Sequence, residues 1–138
     1  MKYELHIKEK ARGKARPRFT MNGKHTYTPD TTKNFEHLIK LDFQKMYGKI
    51  DITENPIEVN IVVKHKIPKR ISKKIRKNIL YTPCTVKPDI DNIVKLIMDS
   101  LNGLVYKDDK QVFKVTAIKV YAEEDEIFIG IDEVRIND

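Results

Sequence analysis

Lys87-Pro88-Asp89-Ile90-Asp91-Asn92-Ile93-Val94-Lys95 is the stretch on which the reading of this chain turns. Wound at about 100° per residue, the segment and its continuation place Asp91, Asn92, Lys95, Asp99 and Asn102 on one arc. Ile90, Ile93, Val94, Ile97, Met98 and Leu101 fill the opposite side. The pattern predicts an amphipathic helix over about Asp91 to Asn102, with Pro88 stiffening its entry and Gly103 stopping it. A solvated ladder of Asp91, Lys95 and Asp99 at i,i+4 spacing, with Asp91 at the positive end of the dipole, would look similar. Asp89 ahead of the helix and Asp108-Asp109 after it go beyond what such a ladder requires. Five carboxylates therefore surround Lys95 within 23 residues of an otherwise basic chain.

Outward from this helix the periodicities are clear. Ile57, Val59, Ile61 and Val63 alternate with polar residues, as do Tyr3, Leu5 and Ile7, and both segments read as half-buried strands. Asn22-Gly23 between Phe19-Thr20-Met21 and His25-Thr26-Tyr27 predicts a two-residue hairpin turn. After Pro29 a helix begins, with Phe35, Leu38, Ile39, Phe43 and Met46 on its apolar face and Gly48 as its stop. Ser72 to Lys77 reads as a short basic helix or turn. Val112, Phe113, Val115, Ile118 and Val120 predict a strand, with Ile127, Ile129 and Ile131 as its hairpin partner across a solvated acidic turn, Glu123 to Glu126. The expected architecture is one α+β domain over residues 1–138, with a mixed or largely antiparallel sheet covered by helices.

A chain of 138 residues can bury such a core without disulfides or structural zinc. Its single cysteine, Cys84, reads as an inert small residue, and the four histidines have no metal-ligand spacing. The start of the chain has no apolar signal region and no apolar run is long enough for a bilayer, so a cytoplasmic protein without membrane partners is expected. The net charge of +7 conceals a division: residues 1–80 carry 20 Lys/Arg against 8 Asp/Glu, and residues 81–138 carry 7 against 12. A basic body attracts a polyanion, and an acidic centre attracts a divalent cation.

Two basic tracts are candidate contacts to nucleic-acid phosphates. One is the alternate-residue row that includes Lys14, Arg16 and Arg18, which an extended backbone would project on one side. The other is the run of eight Lys/Arg from Lys64 to Lys77, containing Lys73, Lys74, Arg76 and Lys77. Solvated basic surface is the plainer reading of each, and contact with nucleic acid is the favoured one. Carboxylates from a helix start and from a nearby strand start can converge on one point, and such hard oxygen donors suit Mg²⁺ or Mn²⁺. Crowding them also raises their cost of ionisation until a cation is bound.

The ordered series Asp89-x-Asp91-Asn92-x-x-Lys95, then Asp99-x-Leu101-Asn102-Gly103, then Asp108-Asp109-x-Gln111-Val112 resembles the RusA family of Holliday junction resolvases. Gly13-Lys14-Ala15-Arg16-Pro17-Arg18-Phe19 and Tyr27-Thr28-Pro29 extend the likeness over most of the chain. The resemblance implies a Mg²⁺-dependent (or Mn²⁺-dependent) endodeoxyribonuclease acting on four-way DNA junctions as a homodimer. It further implies that Asp89, Asp91 and Asp109 hold metal and that Lys95 is catalytic. Asp108 is the second choice for the strand-side ligand, with a turn-capping role as its plainer reading. Asp99 lies two turns beyond Asp91, about 12 Å along the axis, and is expected to position Lys95. Phe113 and Tyr106 are candidates for the dimer interface. Two competing functions use the same features: a nuclease acting on flaps, forks or RNA, and a non-catalytic nucleic-acid-binding module.

Overall fold

The computed structural model describes residues 2–14, 18–19, 26–27 and 30–136, with the side chains of residues 18, 19, 26, 27 and 30–32 excepted. The strands are β1 (Lys2–Ile7), β2 (Arg18–Phe19), β3 (Thr26–Tyr27), β4 (Ile57–Lys66), β5 (Val112–Ala122) and β6 (Glu126–Glu133). The helices are α1 (Asp30–Tyr47), α2 (Lys73–Ile79) and α3 (Ile90–Leu101), with a 3₁₀ turn over Asp109–Gln111. Strands β1, β6, β4 and β5 form one sheet in that order, mixed because β4 runs parallel to β5 and antiparallel to β6. Helices on its core face complete the expected α+β architecture. Strands β2 and β3 pair antiparallel, while the Asn22-Gly23 turn expected between them lies outside the described residues.

The alternation in β4 decides the layering. Ile57, Val59, Ile61, Val63 and His65 are buried while their neighbours are only partly so, because successive side chains point to opposite faces. Leu5 and Ile7 of β1 and Ile127, Ile129 and Ile131 of β6 join the same core. Phe35, Ile39 and Phe43 of α1 and Ile93, Leu96, Ile97 and Leu101 of α3 cover it. Full burial of one such aliphatic side chain contributes about 1.5–3 kcal/mol. Tyr47 closes the end of α1 onto β1: its hydroxyl accepts from Glu4 N at 2.8 Å and donates to Glu4 O at 3.0 Å. Gly48 then adopts φ +67°, the left-handed stop expected of it. Met46 departs from expectation, being 57% exposed; Phe43 and Tyr47 take the inward positions of the last turn.

The expected hairpin of β5 with β6 is not formed, because β4 lies between them. Residues 123–125 cross the end of β4, where Asp125 Oδ1 accepts a hydrogen bond from Lys66 N at 2.9 Å. A short loop thus links two strands that flank a third. The parallel β4/β5 pair requires a long crossover, and residues 67–111, carrying α2 and α3, provide it. The register of that pair slips once, from Ile57 opposite Val112 to Glu58 opposite Lys114. Phe113 is the extra residue of this bulge and is 60% exposed. Beyond it, Val115 and Ala117 pair with Val59 and Ile61 and so face the helical side of the sheet.

Candidate active site

Asp89 is the N-cap of α3, with φ −65° and ψ 146°, but its carboxylate makes no capping hydrogen bond. That leaves an acid at the positive end of the helix with its oxygens uncommitted to the cap. The backbone before it is held from β5, where the Lys119 ammonium donates to Val86 O at 2.5 Å and Pro88 O at 2.8 Å. Cys84 N donates to Lys119 O at 3.0 Å, fixing the same loop one step earlier. Nothing in the sequence marked Lys119, since a lysine in a strand pattern carries no sign of its acceptors.

The N-terminal arm docks on the start of α3. Lys14 N donates to Asn92 O at 2.9 Å, and a Cβ at Gly13 would stand 3.0 Å from Asn92 Cβ and 3.2 Å from Pro88 Cβ. Glycine is what allows this approach. The Lys14 ammonium meets Glu36 Oε1 at 2.6 Å and Asp99 Oδ2 at 3.3 Å. Desolvation pulls the Lys14 pKa down, and the hydrogen bonds to Glu36 and Asp99 more than offset it, so the net direction is upward. Lys14 is therefore a half-buried clasp between α1 and α3 and not a free phosphate contact. Arg16 lies outside the described residues, as does the side chain of Arg18.

Between α3 and the start of β5 lies a cleft of about 490 Å³. Asp91, Lys95 and Asp99 line it from α3, and Asp109 lines it from the 3₁₀ turn. Lys95 is largely exposed, with its Nζ 4.0 Å from Asp99 Oδ2 at i,i+4 spacing. The sequence-predicted acids are thus partly gathered: Asp91 and Asp109 share the cleft, while Asp89 sits at the helix start outside its lining. Among the described residues no three His, Cys, Asp or Glu side chains converge closely enough to hold a metal ion. The donor chemistry of Asp91 and Asp109 nevertheless suits a hard divalent cation. Of the remaining polar arc, Asn92 meets the arm and Asn102 buries its Oδ1 with no described hydrogen-bond partner.

The apolar side of the wheel divides differently from expectation. Ile93, Leu96, Ile97 and Leu101 enter the core, whereas Ile90 and Met98 line the cleft with Val115, and Val94 and Ala117 both pack against the core and border the cleft. At i,i+4 spacing Ile90, Val94 and Met98 form a stripe alongside Asp91, Lys95 and Asp99. The helix lies at the margin of the sheet, so only part of its apolar arc has something to pack against.

Asp108 and Asp109 have separate duties. Asp108 caps the 3₁₀ turn, accepting from Lys110 N at 3.2 Å, while Gln111 Oε1 accepts from Asp108 N at 3.0 Å. The Lys110 backbone bond is the main reason that the Asp108 pKa is lowered. The Asp109 carboxyl is pushed up by its hydrogen bond to Asp108, then by desolvation and by the charges of Asp108 and Asp99, against the opposing charge of Lys95. Gln111 Nε2 also donates to Thr53 O at 2.9 Å and Asn55 O at 3.0 Å, tying the turn to the loop before β4. Tyr106, expected as a possible exposed interface residue, is instead fully buried. Its hydroxyl donates to Met98 O at 2.7 Å, and desolvation is the main cause of its raised pKa.

The basic run after β4 also divides. Lys73, Lys74 and Lys77 are exposed. Arg76 donates to Ile71 O at 2.9 Å, Pro68 O at 2.7 Å and Ile67 O at 3.4 Å, so its guanidinium braces the loop ahead of α2. No described helix is long and apolar enough to cross a membrane.

The chain is 34% identical over 142 residues to "Uncharacterized protein YqaN" of Bacillus subtilis (strain 168), a match covering 97% of this chain and 96% of that protein. The family model for endodeoxyribonuclease RusA matches residues 10–132, a span that includes the arm, α3 and the Asp108-Asp109 turn. The chain belongs to the RusA endodeoxyribonuclease family.

Proposed function

We propose that this chain is a divalent-metal-dependent endonuclease that resolves four-way DNA junctions, as a homodimer nicking two strands of like polarity, in recombination and repair within the cytoplasm. The observation that carries the reading is the cleft in which Asp91 and Asp109 stand with Lys95 and Asp99. Asp91 and Asp109 would hold Mg²⁺ or Mn²⁺, with Asp89 at the N-cap of α3 as the third donor. When bound, the ion supplies an activated water and neutralises charge on the phosphorane and leaving oxygens.

The chain's own residues do the rest. Lys95, exposed on the cleft rim, balances charge building on the scissile phosphate. Asp99 orients Lys95, and Lys14 in turn holds Asp99. Lys73, Lys74 and Lys77, with Arg16 and Arg18 of the arm, attract the phosphate backbone. Lys14 clasps α1 to α3, and Arg76 braces the loop that leads into α2. A four-way junction has approximate two-fold symmetry, so one site per chain calls for a two-fold pair of chains.

The test compares cleavage of a synthetic four-way junction with flap, fork, duplex and RNA substrates in Mg²⁺. Symmetric nicks in the junction, faster than cutting of any other substrate, support the reading. Preference for flaps, forks or RNA would replace it with a different structure-selective nuclease. Binding without cutting of any substrate would leave a nucleic-acid-binding module.

A further inference from the structure

We infer that the apolar wall of the cleft, formed by Ile90, Val94, Met98, Val115 and Ala117, receives a nucleobase unstacked beside the scissile phosphate; this rests on the nuclease reading above. A groove that follows only the DNA backbone is lined by Lys, Arg, polar side chains and N–H groups. Among the described residues the one cation lining the cleft is Lys95, and five aliphatic side chains share the space with the acids. Ile90 and Val115 are each 39% exposed, a cost in water that a ligand must relieve if the wall has a use.

The apolar surface that DNA offers is the face of a base, accessible only when the base leaves its stack. Enzymes that extrude a base hold it between aromatic or apolar side chains. The cleft, at about 490 Å³, lies in the range of about 300–1,000 Å³ typical of pockets for small ligands. It is therefore large enough for one base and its sugar. Covalent connection supplies the placement: Ile90, Val94 and Met98 are each one residue before Asp91, Lys95 and Asp99 on the same helix. A phosphate held by the polar stripe brings its own nucleotide against the neighbouring apolar stripe. Extrusion costs least where a base is already deprived of a neighbour, and at the exchange point of an open four-way junction the bases stay paired but the stack is interrupted.

The test uses the full chain and four-way junctions carrying 2-aminopurine at each nucleotide flanking the phosphate that the wild type cuts. With Asp91→Asn protein, which should bind without cutting, fluorescence should rise at one flanking position. Adding Val94→Asn and Met98→Asn should abolish that rise and, in an otherwise wild-type chain, slow cutting by about tenfold or more with junction affinity nearly unchanged. Val115→Asn, on the strand side of the same wall, should act in the same direction and keeps the test open if the helix variant does not fold. Three outcomes would overturn the inference: no rise at any flanking position, a rise that survives both wall variants, or a wild-type dimer that the wall variants convert to monomers. If the wild type cuts no junction at all, the function reading fails; if it cuts normally without a base signal, only the base pocket fails.

Discussion

Lys14 Nζ stands 3.3 Å from Asp99 Oδ2, and the same oxygen lies 4.0 Å from Lys95 Nζ. One carboxylate thus links the N-terminal arm to the lysine assigned to the chemistry. Lys14→Met should cost about 1–2 kcal/mol of stability, between the range for exposed ion pairs and that for charged hydrogen bonds. It should also raise amide exchange in residues 10–14. Denaturant unfolding with hydrogen exchange checks both, and an arm exchanging at the wild-type rate would show that Lys14 does not anchor it.

Asp89→Asn, Asp91→Asn and Asp109→Asn should each lower cutting by about 10²-fold or more while leaving junction binding largely intact, since binding derives mainly from phosphate contacts. Glu124→Gln is the matched control, because Glu124 sits far along the chain with a 79% exposed side chain, 3.7 Å from Lys66 Nζ. Single-turnover cleavage and a gel-shift titration separate the effects. A wild-type rate in any of the three Asp variants would remove that residue from the site.

If Lys95 acts as proposed, on charge that develops in the transition state, Lys95→Gln should slow the cleavage step more than it weakens junction affinity. Isolated heterodimers of wild-type and Lys95→Gln chains should accumulate singly nicked junctions. Resolution at the wild-type rate by those heterodimers, or a monomeric mass for the active species on the junction, would end the paired-nick scheme.

Neutralising Lys73, Lys74 and Lys77 to Gln should weaken binding across DNA sequences. Each lost duplex phosphate contact should flatten the slope of log K against log salt by about 0.9. Arg76 belongs to a different class, since its three backbone acceptors predict a fall in Tm for Arg76→Gln. An unchanged salt slope in the triple variant would mark the run as solvated surface.

The Glu133 carboxylate accepts from Asn55 Nδ2 and Thr53 Oγ1, both at 2.8 Å. The Asn55 bond, then the Thr53 bond, holds its pKa below the usual value of 4.5. A depressed carboxylate contributes stability that is present above the unfolded-state pKa and lost as pH falls through the folded one. Glu133→Gln should therefore reduce the loss of stability on acidification below about pH 4.5, read from urea unfolding at a series of pH values. Superimposable pH profiles for variant and wild type would rule out this contribution.

Local order was legible in the chain itself. Alternation identified β1 and β4, the helical period identified α1 and α3, and Gly48 and Gly103 took the positive φ values that end those helices. The acidic series that singles out α3 could also be read there, because residue type and spacing alone fix which donors share a helix face. Tertiary structure decided what those faces meet. A period of two cannot say which strand lies alongside, so β4 separates β5 from β6 despite their short link. An apolar position does not declare its neighbour: Ile90 and Met98 line a cleft bordered by β5, the edge strand of the sheet, while Val94 between them also packs against the core. A positive charge does not declare its partner either: Lys14 went to two carboxylates, and Arg76 and Lys119 went to backbone carbonyls. Those pairings depend on residues distant in sequence, and only the folded chain brings them within hydrogen-bonding range.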